Sequence, residues 1–410
     1  MKVFYAFILL SLFSFRSTIS LADKKQIKIH IGNWKGTLKV KNQNELNFLF
    51  RVEKSPLGLL FIVQNGKERI ELVQKPSSLD SIVIAFPVFD SELRLAIQDK
   101  KNLSGFWYNY HKGKDYKIPC TLSYSFDELY PFNKNNPLVE LEGKWEVDFS
   151  PEDSYKAVGL FEQNEHSISG TFLTETGDYR YLTGTISGKD FQLSCFDGSH
   201  AFLFKGIIEE DRINGLFISG THYTTEWTAH RNDQFELTDP DSLTKLNSTF
   251  RSFETTDLLG NAFVFDSTYF QGRVTIIQIL GTWCPNCMDE SLFLKEMHQA
   301  FFEKGLSILG ICYETGNGFE EYRQRINHYK ERMKIPYPLY VGGKASKQLA
   351  SQQFSDFSSI LSFPTIIIIG KDGTVRKIHT GFYGPGTGSY YEEFTKETKS
   401  FIESLCNERY

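Results

Sequence analysis

Cysteine is scarce in this chain. Six in 410 residues are too few for a disulfide framework to hold the fold. Long apolar runs are missing beyond Phe15, so no later segment can cross a bilayer as a helix. Lys and Arg form no block and the net charge is -5, which excludes nucleic acid or another polyanion as a partner. Aromatics, by contrast, are plentiful: 36 Phe and 20 Tyr help bring the aromatic share to 15%. That favours β-rich architecture somewhere outside the C-terminal part. The length allows two or three domains with proper cores.

Residues 1–22 read as an export signal. Lys2 supplies the positive charge, Val3 to Phe15 a short apolar core, and Ser20-Leu21-Ala22 a cleavage site. The run is too short for an ordinary membrane span. No cysteine precedes Cys120, so a lipoprotein anchor is not expected there.

From about Lys25 to Arg231 the chain alternates in short runs. Leu46, Phe48, Phe50 and Val52 alternate with Asn47, Leu49, Arg51 and Glu53; Phe191, Leu193 and Cys195 repeat the habit. Asn65-Gly66, Thr176-Gly177-Asp178 and Asp197-Gly198 supply turns. The pattern predicts an antiparallel β meander. Gly32-Asn33-Trp34 and Gly143-Lys144-Trp145 begin similar stretches, and Leu103 to Phe106 and Ile213 to Leu216 close them at nearly the same offset. A duplication follows, giving two β modules (23–135 and 136–235) or two halves of one barrel. The paired tryptophans are expected to plug a β core rather than line a ligand pocket. Cys120 and Cys195 could bridge in an oxidising compartment, though spacing alone does not decide it.

Residues 236–252, with Asp239-Pro240-Asp241-Ser242, read as a linker. From 253 to 410 strands and helices alternate. Val274–Leu280 is a strand, Pro285 to about Lys304 a helix, and Leu306–Tyr313 a strand carrying Cys312 as a core thiol. Phe319, Tyr322, Ile326, Tyr329 and Met333 mark a helix by spacings of three and four. Tyr337–Val341 follows as a strand and Lys344 to about Phe354 as a helix. Thr365–Gly370 and Val375–His379 form a hairpin, and a last helix spans about Tyr391 to Leu405. The order predicts a mixed central sheet covered on both faces.

Trp283-Cys284-Pro285-Asn286-Cys287 stands where the first strand meets its helix. A sulfur at a helix N-terminus is favoured as thiolate by unpaired N–H groups and the helix dipole. The second cysteine, one turn on, can close a disulfide or resolve a mixed one. Pro285 suits the first helical position because its missing N–H has no intrahelical role there. A zinc site would need a second ligand pair, and neither Cys312 nor His298 forms one, so no metal is expected. Glu290, three residues after Cys287, shares its helical face. It could exchange protons with the cysteines, or simply be a first-turn acid favoured by the dipole, as could Asp289.

This order, with Gly281-Thr282-Trp283-Cys284-Pro285-Asn286-Cys287-Met288-Asp289-Glu290, the extra strand–helix unit from about Leu306 to Met333, Ser362-Phe363-Pro364-Thr365 and Gly381-Phe382-Tyr383-Gly384-Pro385-Gly386, resembles the TlpA/ResA-type thiol-disulfide oxidoreductases with a thioredoxin fold. The preceding β-rich region, with Gly177-Asp178-Tyr179-Arg180-Tyr181 and Phe196-Asp197-Gly198-Ser199-His200, resembles extensions found before such domains, without implying a chemistry for them. The resemblance implies a periplasmic enzyme with Cys284 as attacking thiolate and Cys287 as resolving thiol, the two forming a redox-active disulfide. Pro364 would be cis beside them. Trp283, Phe363, Pro364 and Thr365 would meet an extended substrate, through backbone groups at Phe363. Cysteine-containing exported proteins would be the substrates and a membrane thiol carrier the electron donor, with no cofactor. Thioredoxin's buried Asp six residues before the first Cys is Gln278 here, which carries no proton. A thiol peroxidase of the same fold would need Thr where Gly281 stands. A third reading is a binding protein whose β region captures a partner, with an accessory redox domain.

Overall fold

The computed structural model describes residues 29–409 except 57, 79, 125–127, 135–138, 151–154 and 267. The expected export signal, 1–22, lies outside the described residues.

Two closed antiparallel barrels precede the α/β domain. The first runs through eight strands from Gly32–Lys39 to Lys117–Ser123, and Lys35 pairs with Ser123 to close it. The second begins at Gly143–Phe149 and ends at Tyr223–Arg231, closing where Trp227 pairs with Phe149. Of the two arrangements the duplication allowed, it is two complete barrels. The tryptophans keep the same local device in each. Trp34 Nε1 donates to the His30 carbonyl at 3.0 Å and Trp145 Nε1 to the Leu141 carbonyl at 2.8 Å, four residues back in both cases. Both indoles are fully buried, so each plug satisfies its polar atom as a buried Trp should.

Alternation decides what fills the barrels. Leu46, Phe48, Phe50 and Val52 face the first core, and Phe191, Leu193 and Cys195 the second. In the second, the Phe172 and Phe204 rings stack at 4.5 Å between centroids, and Phe204 and Phe217 at 4.4 Å. Rings therefore occupy the interior where a ligand barrel would keep a cavity. One departure from a plain meander matters below. After Ser167–Thr174 the chain turns through a short hairpin, Gly177–Asp178, before rejoining the barrel at Leu182–Ser187.

The C-terminal domain is a seven-stranded mixed sheet. Val274–Leu280 lies centrally, parallel to Leu306–Glu314 and antiparallel to Thr365–Ile369. Helices Pro285–Phe301, Phe319–Met333, Lys347–Gln353 and Ser389–Asn407 accompany it. A hairpin absent from the expectation, Ser252–Thr256 with Ala262–Asp266, forms one edge. The segment expected as a linker contains a short helix, Pro240–Leu243. It is fastened to the edge strand Val375–Thr380 by Asp241 to His379 (2.7 Å) and Lys377 (2.6 Å). All six cysteines are free thiols. Cys120 and Cys195 sit in separate barrel cores, so no bridge joins them.

Candidate active site

Val274–Leu280 is buried at every position. It ends at Gly281, and the chain turns into the helix Pro285–Phe301 with Cys284 as N-cap. Cys284 Sγ accepts the Cys287 N–H at 3.3 Å, and its thiol points at the Phe363 carbonyl oxygen, 3.4 Å away. Sulfur at the N-cap meets the unpaired N–H groups of the first turn, the arrangement that stabilises a thiolate. Cys287 is fully buried, and burial first, then its contact with Cys284, push its thiol well above the ordinary range. The two sulfurs thus differ in environment, one capping the helix and one fully buried.

Beneath the pair lies a buried polar chain. Gln278 Nε2 donates to Glu290 Oε2 at 2.9 Å, and Tyr337 OH donates to Gln278 Oε1 at 3.2 Å. Glu290 has no exposed surface and its Oε1 has no hydrogen-bond partner. Burial raises its carboxyl well above the usual range, the Gln278 bond opposing this. Burial of this kind moves an acid's titration up toward the working pH, where it can take up and return a proton. A second buried acid, Glu314, ends the neighbouring strand. It accepts from Thr282 N–H at 2.9 Å and from Thr282 Oγ1 at 2.7 Å, holding the turn into the cysteines. Nothing in the local sequence pattern distinguishes Glu314, because only the parallel pairing of Leu280 with Cys312 brings it there.

The Phe363–Pro364 bond is cis, and Pro364 and its neighbours face the cysteine loop. Trp283 donates Nε1 to the Tyr313 carbonyl at 3.0 Å and stands perpendicular to Phe363 at 6.2 Å. Thr365 is fully buried and turns its hydroxyl to the Ser362 carbonyl at 2.9 Å. Of the four residues expected to meet a substrate, only Trp283 keeps intermediate exposure.

Both barrels reach this site. Cys284 is only 7% exposed. Val88 of the first barrel packs on the thioredoxin-like core, and Met288 packs into the first barrel in return. From the second barrel, Ser199 Oγ donates to the Trp283 carbonyl at 2.9 Å. Arg180, 2% exposed, joins all three bodies. Its guanidinium meets Glu68 of the first barrel, Asp197 of the second and Asp289 of the redox helix. A buried cation facing three carboxylates is bound tightly to its place, because withdrawing it would leave buried negative charge unpaired. Asp289 is therefore more than a first-turn acid. The stretches Gly177–Tyr181 and Phe196–His200, recognisable in sequence but without assigned chemistry, are the ones that touch the redox loop. A lone Arg between two tyrosines was the available signal.

Residues 245–393 match the Redoxin family. The thiol-disulfide oxidoreductase ResA of Geobacillus thermodenitrificans is 24% identical over 136 residues, 33% of this chain and 70% of that protein. The thiol:disulfide interchange protein DsbE of Vibrio cholerae is 25% identical over 149 residues, 34% of this chain and 71% of its own length. Among solved structures, a thioredoxin-family thiol:disulfide interchange protein from Chlorobium tepidum covers 39% of this chain and 97% of its own, at 18% identity and a TM-score of 0.30. The C-terminal part thus matches the Redoxin family and is similar to ResA-type thiol-disulfide oxidoreductases, and the two barrels lie outside the matched region.

Proposed function

We propose that this chain is an exported thiol-disulfide oxidoreductase that reduces disulfides of periplasmic proteins through Cys284 and Cys287. The observation that carries the reading is the sulfur geometry. Cys284 caps the helix with its Sγ on the Cys287 N–H, and the buried Cys287 lies three residues further on. Cys284 attacks a client disulfide as thiolate, a mixed disulfide forms, and the departing client sulfur takes a proton. Cys287 then attacks the Cys284 sulfur, leaving the second client thiol and an oxidised pair. Glu290 is placed to accept the proton Cys287 must lose. The ResA and DsbE likenesses support the activity. The charge pattern of residues 1–22 supports export. Among described residues, no helix is long and apolar enough to cross a membrane. Electrons returning the pair to dithiol would come from a membrane thiol carrier.

Wheat 1-Cys peroxiredoxin PER1 is also similar, at 25% identity over 163 residues. The peroxidase chemistry is disfavoured by Gly281, where any added side chain would collide with the Trp283 indole. The test is turnover of a protein disulfide by residues 23–410 with dithiothreitol as donor. Activity lost in Cys284→Ser supports the reading. Activity unchanged by that substitution would refute it.

A further inference from the structure

Three loops meet at the cysteine pair: the cysteine turn itself, Ser362–Pro364, whose Phe363 carbonyl faces Cys284 Sγ, and Gly381–Gly384, whose Phe382 carbonyl accepts from Asn286 Nδ2 at 3.0 Å. One segment of the second barrel, Thr174–Arg180, touches all of them. Ser362 Oγ donates to the Thr176 carbonyl at 3.0 Å, and an added side chain at Gly381 would collide with the Thr176 backbone. Tyr383 OH donates to the Thr174 carbonyl at 3.0 Å. The Asp178 carboxylate accepts the Gly384 N–H at 2.6 Å and lies 3.4 Å from Asn286 Nδ2. Gly177 has φ +149, and a Cβ there would strike Asn286, so the approach to the cysteine turn needs glycine. Arg180 closes the segment by donating to the Pro285 carbonyl at 3.3 Å and pairing with Asp289.

These contacts have a particular character. From Thr174 to Asp178 the groove supplies hydroxyl, amide and N–H donors and the segment supplies backbone carbonyls and one carboxylate; only Arg180 donates in the other direction. That is how an extended peptide is held: its main chain gives general affinity and one side chain gives selectivity. The segment also carries no cysteine. It can occupy the groove but cannot be turned over.

We propose that Thr174–Arg180 is a built-in surrogate of the client. It leaves the dithiol latent, and it gives way to an extended client segment whose carboxylate takes the place of Asp178. The proposal rests on the exchange chemistry above and deepens it, naming what the groove binds. Only the tip of the segment moves: Gly177–Asp178 pairs through Leu173 and Thr174 alone, so it can withdraw while Thr174 stays in the barrel and Arg180 stays on its three carboxylates. Accessibility of Cys284 then follows the population of the open state.

The test uses the reduced full chain and a bulky maleimide, with the label at Cys284 quantified by peptide mass. Asp178→Ala removes the contacts to Gly384 and Asn286. Labelling at Cys284 should accelerate about tenfold or more, the equilibrium effect of losing one well-made charged hydrogen bond. Addition of a disulfide-free peptide rich in Asp and Glu should slow labelling of Asp178→Ala, because it refills the groove the segment has left, whereas the Asn/Gln analogue should not. Hydrogen exchange supplies a second readout: the Gly384 amide should be protected in the wild type, lose protection in Asp178→Ala, and regain it when the acidic peptide supplies the carboxylate. Equal labelling of wild type and Asp178→Ala, or an unprotected Gly384 amide, overturns the proposal. Alkylation needs only a thiol, so it reports on the plug even if Cys284 and Cys287 fail to cycle. That failure would instead strike the exchange reading.

Discussion

Replacing Glu314 by Gln should make the protein more stable at alkaline pH than the wild type. Glu314 is fully buried against Thr282, and burial pushes its carboxyl from 4.5 up to about 7. In the unfolded chain the proton leaves near 4.5; in the folded protein it stays until about 7. Between those values the folded state holds more protons, so stability falls as pH rises, and the loss is complete above about 7. The difference corresponds to about 3 kcal/mol at about 1.4 kcal/mol per pH unit. Gln keeps an acceptor for the Thr282 N–H, and its amide can donate to Thr282 Oγ1. At pH 4.5 the two proteins should therefore lie within about 1 kcal/mol of each other. At pH 8.5 the variant should lead by about 3 kcal/mol, roughly 6–12 °C in melting temperature for a domain of this size. Scanning calorimetry of both proteins from pH 4.5 to 8.5 measures this, since every other titration is common to the pair. Parallel curves, or a variant that is the less stable at pH 8.5, would refute the reasoning.

Other outcomes follow from the same geometry. Cys287→Ser should accumulate a mixed disulfide on Cys284, visible on non-reducing gels and by intact mass, because the resolving sulfur is gone. Glu290→Gln should keep the hydrogen bond to Gln278 yet slow resolution about 100-fold near neutral pH, in stopped-flow traces, while the first attack keeps its rate. Arg180→Ala should cost about 3–5 kcal/mol in urea unfolding, because it leaves the buried Asp197 and Asp289, and the partly buried Glu68, without their cation.

Where a segment's own pattern dictates its structure, the sequence was legible. Val274–Leu280 and Phe319–Met333 fall where the apolar run and the three-and-four spacing place them. The strand expected at Tyr337–Val341 lies instead at Leu339–Lys344. Pro338 has no N–H to offer a ladder, though its carbonyl accepts from Gly310, and the strand's far end runs into Gly342 and Gly343, which have no side chain to signal a face. The hairpin Ser252–Thr256 with Ala262–Asp266 escaped notice because its strands are five residues each and half exposed. At the site, the cysteines announced themselves by spacing, and Pro364 by the likeness of Ser362-Phe363-Pro364-Thr365 to the TlpA/ResA pattern. The cover over them did not. Arg180 and Asp289 are 109 residues apart, and no periodicity links a barrel hairpin to the groove it fills. Closure of two barrels rather than one likewise depends on pairings such as Lys35 with Ser123, which alternation within a strand does not encode.

The reduction potential of the Cys284/Cys287 couple, measured by equilibrium with glutathione or dithiothreitol on residues 23–410, tests the central claim most directly. The account predicts a single disulfide between these two cysteines at roughly −270 mV, the poise of a reductant. A couple near roughly −120 mV would make the protein an oxidant of exported thiols, and contradict it.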